Sequence, residues 1–147
     1  MHHDTFGLHL ILLPAFACRI PAHAHSSLSD ATQRICSQYG CRSVAIHARE
    51  DHLHVLVSAA DERDMTRFVH ALLDALRLTV VACGGPFRGF TWDPAVHVTL
   101  LPPWHIEILA SFVRDQDRYH EHRTLEQELD DVFRPNALEP EEPVHVN

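Results

Sequence analysis

Two stretches of strand-like alternation, 42–49 and 52–58, are separated by only Glu50 and Asp51. So tight a connection returns the chain antiparallel to itself, and residues 42–58 read as a hairpin with Val44 and Ile46 on one face. The periodicity around this hairpin changes in a regular order. Leu8–Leu13 is short, apolar and closed by Pro14, which suits a strand, and 14–25 is a loop bracketed by Pro14 and Pro21. The cluster Ser26-Ser27-Leu28-Ser29-Asp30 starts a helix that should run to about Tyr39, with Gly40 as its left-handed stop. From Asp61 to about Leu78, the residues Met65, Phe68, Val69, Leu72, Leu73 and Leu76 recur at helical spacing. After Gly84-Gly85-Pro86, residues Phe90–Leu101 are expected as a last strand, with Pro94 marking a bulge or an edge. Helices are then expected over about His105–Tyr119 and Thr124–Phe133. The order β-α-β-β-α-β with additional C-terminal helices predicts an α+β fold: a ferredoxin-like or RRM-like antiparallel sheet.

At 147 residues the chain suits one domain. No apolar run reaches the roughly 18 residues of a membrane span. Met1-His2-His3-Asp4 does not open an export signal, so a cytoplasmic location is expected, with no membrane partner. Cys18, Cys36, Cys41 and Cys83 make no CxxC pair and are expected as reduced, packed thiols. The formal net charge is −8, but residues 124–147 hold seven acidic residues against Arg134 alone, so the rest is close to neutral. The chain therefore divides into a domain over 1–133 and an acidic, proline-rich tail over 134–147. It has no lysine, and its twelve arginines form no visible patch. Arginine suits phosphate contacts, yet composition neither supports nor excludes a nucleic-acid partner.

Asp51-His52-Leu53-His54 is the most informative tetrapeptide. On a strand, residues i and i+2 leave the same side about 7 Å apart. His52 and His54 would share one face while Leu53, Val55 and Val57 fill the other, and two such imidazoles can grip one cation. The spacing fits equally two exposed strand histidines among the fourteen of the chain. His23-Ala24-His25 has the same spacing in the expected loop.

Several segments, in order, resemble the single-tyrosine HUH transposases of bacterial insertion sequences and their REP-associated relatives. They are Leu8-His9-Leu10-Ile11, Tyr39-Gly40-Cys41, Asp51 to Val57, Phe90-Thr91-Trp92, Phe112 to His120, and Thr124 to Glu128, which looks like that family's acidic helix. The resemblance implies an RRM-like sheet that dimerises and binds single-stranded, hairpin-bearing DNA. It also implies a divalent cation, Mg²⁺ or Mn²⁺, held by the histidine pair and a glutamine, and a tyrosine that attacks the scissile phosphate. Carried over, His52, His54 and Gln116 match the ligands, with His120, one turn on, as an alternative third ligand. The tyrosine position, four before Gln116, is Phe112, which has no hydroxyl. Strand cleavage is therefore expected to be defective, with Tyr119 as the only nearby surrogate, about 10 Å along a continuous helix. Two readings follow: a strand transferase, or a non-catalytic regulator or fold relic that dimerises and binds DNA or a partner protein. The family's basic cluster after the first strand is here Pro14-Ala15-Phe16-Ala17-Cys18-Arg19, and Ala95-Val96-His97 replaces its glycine-aromatic pair. Arg114 and Arg118 are candidate phosphate contacts, or a face paired with Asp115 and Asp117. His9 and His97 lie on strands and could approach the site.

Overall fold

A computed structural model describes residues 5–120 and 124–133. Four strands, β1 (Phe6–Leu12), β2 (Arg42–Arg49), β3 (His52–Ala59) and β4 (His97–Leu101), form one antiparallel sheet in the order β2-β3-β1-β4. Helices α1 (His25–Gln38) and α2 (Met65–Val81) make the two crossovers. This is the ferredoxin-like split βαβ topology, with the β2–β3 hairpin at one edge. Three further helices follow: α3 (Ile106–Arg114), α4 (Gln116–Tyr119) and α5 (Leu125–Phe133). No helix among the described residues is long and apolar enough to cross a membrane.

The period-two pattern sorts side chains between two covered faces. Leu8, Leu10 and Leu12 of β1, with Leu53, Val55 and Val57 of β3, pack against Leu28, Ala31 and Ile35 of α1 and Phe68, Leu72, Leu76 and Val80 of α2. On the opposite face Leu56, Ala45 and Leu101 meet Ile106, Leu109, Ala110 and Val113 of α3. Gly7 permits this close approach, since a Cβ there would lie 2.9 Å from Ile106 Cγ1. His9, His52 and His54 belong to this second face, and all three are fully buried.

Several element boundaries differ from expectation for local reasons. The register of β2 against β3 shifts between Ser43 and Ala45, so Val44 joins the α3 side while Ile46 joins the α1–α2 side. The bulge thus separates two residues that simple alternation puts together. Helix α1 begins at His25, before the serine cluster, and ends before Gly40, whose φ of 70° supplies the left-handed stop. Helix α2 begins only at Met65, because the Asp61 carboxylate is engaged by Arg63 in a local turn. Residues 90–96 do not join β4: Asp93 accepts the Ala95 amide at 2.8 Å, turning the chain at Pro94. They are nonetheless tied to the end of β1, through a Pro14–Trp92 bridge and the Asp93 amide on the Leu13 carbonyl at 2.7 Å. Residues 134–147, read as an acidic tail, lie outside the described residues.

Candidate metal centre

The second face of the sheet carries a polar cluster. His52 and His54 project from β3, Gln116 from the start of α4, His120 from its end and Glu128 from α5. His52 donates through Nδ1 to Asp51 Oδ1 at 2.7 Å, and its Nε2 lies 3.1 Å from Gln116 Oε1 and 3.0 Å from Glu128 Oε1. The other Glu128 oxygen accepts from His54 Nε2, and His120 Nε2 reaches Glu128 Oε1 at 2.7 Å. Behind them, His9 Nε2 and His54 Nδ1 share a hydrogen bond of 2.8 Å. Phe112 sets its ring edge-on to His54, with centroids 5.8 Å apart.

Glu128 is fully buried, and such a carboxylate is costly unless compensated. Burial pushes its pKa up, but hydrogen bonds from His52 and His54 outweigh that and hold it well below the usual range. Burial would likewise lower His52, yet Asp51 and Glu128 raise it to about 9. His54 moves the other way: burial lowers it, and the Glu128 bond offsets this only in part. Burial also lowers His9, well below the ordinary imidazole value, and the neighbouring His54 adds to the effect. At neutral pH the centre is thus a His52 imidazolium and a Glu128 carboxylate beside two neutral imidazoles.

One ligand atom each from His52, His120 and Glu128 lies within 4.8 Å of the others. Imidazole nitrogens and a carboxylate oxygen so placed suit a borderline divalent cation, once the ring protons on those nitrogens are displaced. The donor set therefore fits a metal ion.

The family model described as "Transposase IS200 like" matches residues 5–77, the stretch that contains β1, the hairpin and both histidines of β3. The chain belongs to the IS200-like transposase family. Among solved structures, a protein of Deinococcus radiodurans R1, provisionally described as a transposase, superposes with a TM-score of 0.58. It shares 21% identity over 78% of this chain and 93% of its own. A REP-associated tyrosine transposase bound to a REP hairpin superposes with a TM-score of 0.59, at 12% identity over 99% of this chain and 88% of its own. At these identities the likeness is one of fold. No curated protein matches the chain.

The structure brings some of the expected site residues together and leaves others apart. His52, His54, Gln116 and His120 do come together, and Phe112 stands beside His54. They do so because the expected continuous helix is broken at Asp115 (φ −96°, ψ 22°), which closes α3 and lets α4 turn Gln116 toward His52. Aspartate favours such local departures from helix. The break also removes the straight-helix spacing that sets Tyr119 about 10 Å along the axis, and the Tyr119 side chain lies outside the described residues. Arg114 reaches the Val44 carbonyl at 3.4 Å, while Asp117 is taken by Arg49 at 2.8 Å and His47 at 3.2 Å, both on β2. Arg118 is exposed. His97 is in register with Ile11, which faces His54, so it stands two strands, about 10 Å, from His54. His25 opens α1 and bonds the Ile46 carbonyl at 3.0 Å, which accounts for the other His-x-His spacing. Glu128 is the residue that spacing did not single out, and of the two strand histidines His9 is the one that meets His54. Glu128 is fully buried on a segment whose sequence resembles that family's acidic helix.

Proposed function

We propose that this IS200-like transposase family member binds a divalent cation and single-stranded, hairpin-bearing DNA but does not cut strands through a tyrosine. The observation that carries this reading is the buried His52–His54–Gln116–Glu128–His120 cluster with the Phe112 ring, and no hydroxyl, at its border. His52, His120 and Glu128 would hold the ion, with His54 and Gln116 as further ligands, and a bound ion would polarise a phosphate oxygen. Several imidazoles beside one carboxylate favour Mn²⁺ over Mg²⁺. The hairpin recognised by the REP-associated neighbour supports DNA of that shape as the ligand. Arg114 and Arg118, at the rim of α3 and α4, are the proposed phosphate contacts. A homodimer, the assembly the family likeness implies, would elute at twice the 16.7 kDa chain mass in light scattering.

The test is incubation of labelled hairpin single-stranded DNA with the protein and Mn²⁺, followed by denaturing electrophoresis. The expected result is a native gel shift with no denaturation-resistant adduct, and an adduct on Phe112→Tyr. An adduct formed by the natural chain would overturn the reading. If Tyr119→Phe then abolished that adduct, Tyr119 would be the surrogate nucleophile.

A further inference from the structure

His9 lies outside the proposed ligand set, yet it is fully buried and bonded to one of that set's members. Its other ring nitrogen, Nδ1, is buried with no hydrogen-bond partner. An orphaned polar atom of this kind calls for an explanation, and the tautomers of the two rings supply one. A carboxylate only accepts, so His54 Nε2 carries the proton in its bond to Glu128. A His54 protonated on Nε2 alone has a lone pair on Nδ1, to which His9 donates from Nε2 across 2.8 Å. That leaves the orphaned His9 Nδ1 as an unprotonated acceptor.

A cation can be bound by His54 Nε2 only through a lone pair. The His54 proton must then reside on Nδ1, which reverses the 2.8 Å bond: Nδ1–H donates and His9 Nε2 accepts. His9 in turn must carry its proton on Nδ1. The two rings hold two protons before the change and two after it, so the pair switches tautomers without gaining or losing charge. We propose that His9 is a positioning residue that sets the tautomer of His54 and so governs how tightly that histidine can take a cation. This rests on the metal reading above. The near-parallel ring planes, 9° apart, keep the bond aligned in both directions.

The test compares Mn²⁺ binding by calorimetry for the natural chain, His9→Leu and His9→Gln, with thermal unfolding of each in the metal-free state. Outer-shell partners of ligating histidines are worth about 10- to 100-fold in metal affinity. His9→Leu, close in volume, should lose affinity by about that factor, beyond any small drop in metal-free unfolding temperature from the lost hydrogen bond to His54. His9→Gln, whose amide can still accept from His54, should recover much of the loss. A merely structural role would lower the unfolding temperature and leave affinity intact, and would overturn the inference. Nitrogen-15 spectra of the metal-free natural chain add a readout independent of any variant: both rings should be protonated on Nε2, and a His54 protonated on Nδ1 refutes the relay. If the natural chain binds no Mn²⁺, the metal reading falls and the relay with it. If it binds and His9→Leu binds equally well, the relay alone falls.

Discussion

Glu128→Gln removes the negative charge on which the centre converges while keeping the side chain's shape. In the metal-free protein it leaves the His52 imidazolium with Asp51 and the Gln116 oxygen as partners, and turns two further histidine contacts into neutral ones. Breaking a buried ion pair by removing one partner costs about 3–5 kcal/mol. Asp51, itself largely exposed, still supports His52, so the lower end, about 3 kcal/mol, is expected. For a chain of this size that lowers the unfolding temperature by about 6–12 °C. The pH dependence follows from two opposite shifts. His52 is raised from 6.5 to about 9, so its stabilisation is complete below pH 6.5 and fades as pH climbs through 9. Glu128 is depressed from 4.5, so its stabilisation is complete above that value and is lost as pH falls through the lower folded value. The natural chain should therefore be most stable between about pH 4.5 and 6.5. Its advantage over the variant should be largest there and should shrink as pH rises from 6.5 to about 9. Differential scanning calorimetry in the presence of a chelator from pH 4 to 10 measures both. Unfolding temperatures within 2 °C of each other at pH 6 would refute the placement of Glu128 against His52.

Three further outcomes are expected. Saturating Mn²⁺ should raise the unfolding temperature of the natural chain, by about 2.7 kcal/mol of added stability at one hundred times the dissociation constant, and a chelator should reverse the gain. Gly7→Ala should destabilise by about 1–3 kcal/mol in urea titrations, because the new methyl presses on Ile106 and lifts the start of α3. Mn²⁺ should raise the stability of Phe112→Tyr at least as much as that of the natural chain, since Phe112 borders His54 without being a ligand; lost binding on thermal titration would contradict that placement.

The sheet was legible because alternation is a local signal. The strands β2 and β3 were bounded within a residue, and the apolar face of α2 was identified from Phe68, Leu72 and Leu76. The bulge at Val44 was not, since one inserted residue reverses facing without changing composition. The histidine pair was legible for the same local reason. Glu128 was not: in sequence it is one acid among Glu126, Asp130 and Asp131, and only the docking of α5 distinguishes it. His9 showed a similar limit, because register alone decides whether it or His97 meets His54. The break at Asp115 depends on a competition between helix continuation and the pull of His52 on Gln116, which no helical period records.

The cover that α3 lays over the sheet has a consequence for how a polynucleotide could approach. Open-faced RRM sheets recognise single strands by letting bases lie flat on aromatic residues of the central strands. Here the equivalent surface is occupied by Leu109, Ala110 and Val113, and the central strands offer it Leu56, His9 and Gly7 rather than rings open to solvent. On this face of the sheet a strand would find no aromatic platform among the described residues. It would have to skirt the margin of the sheet, where a groove lined by His25, His47, Arg49, Asp51 and Asp117 opens beside His52. Recognition there would depend on the path of the sugar-phosphate chain and on the shape of a folded end, with base identity read little or not at all.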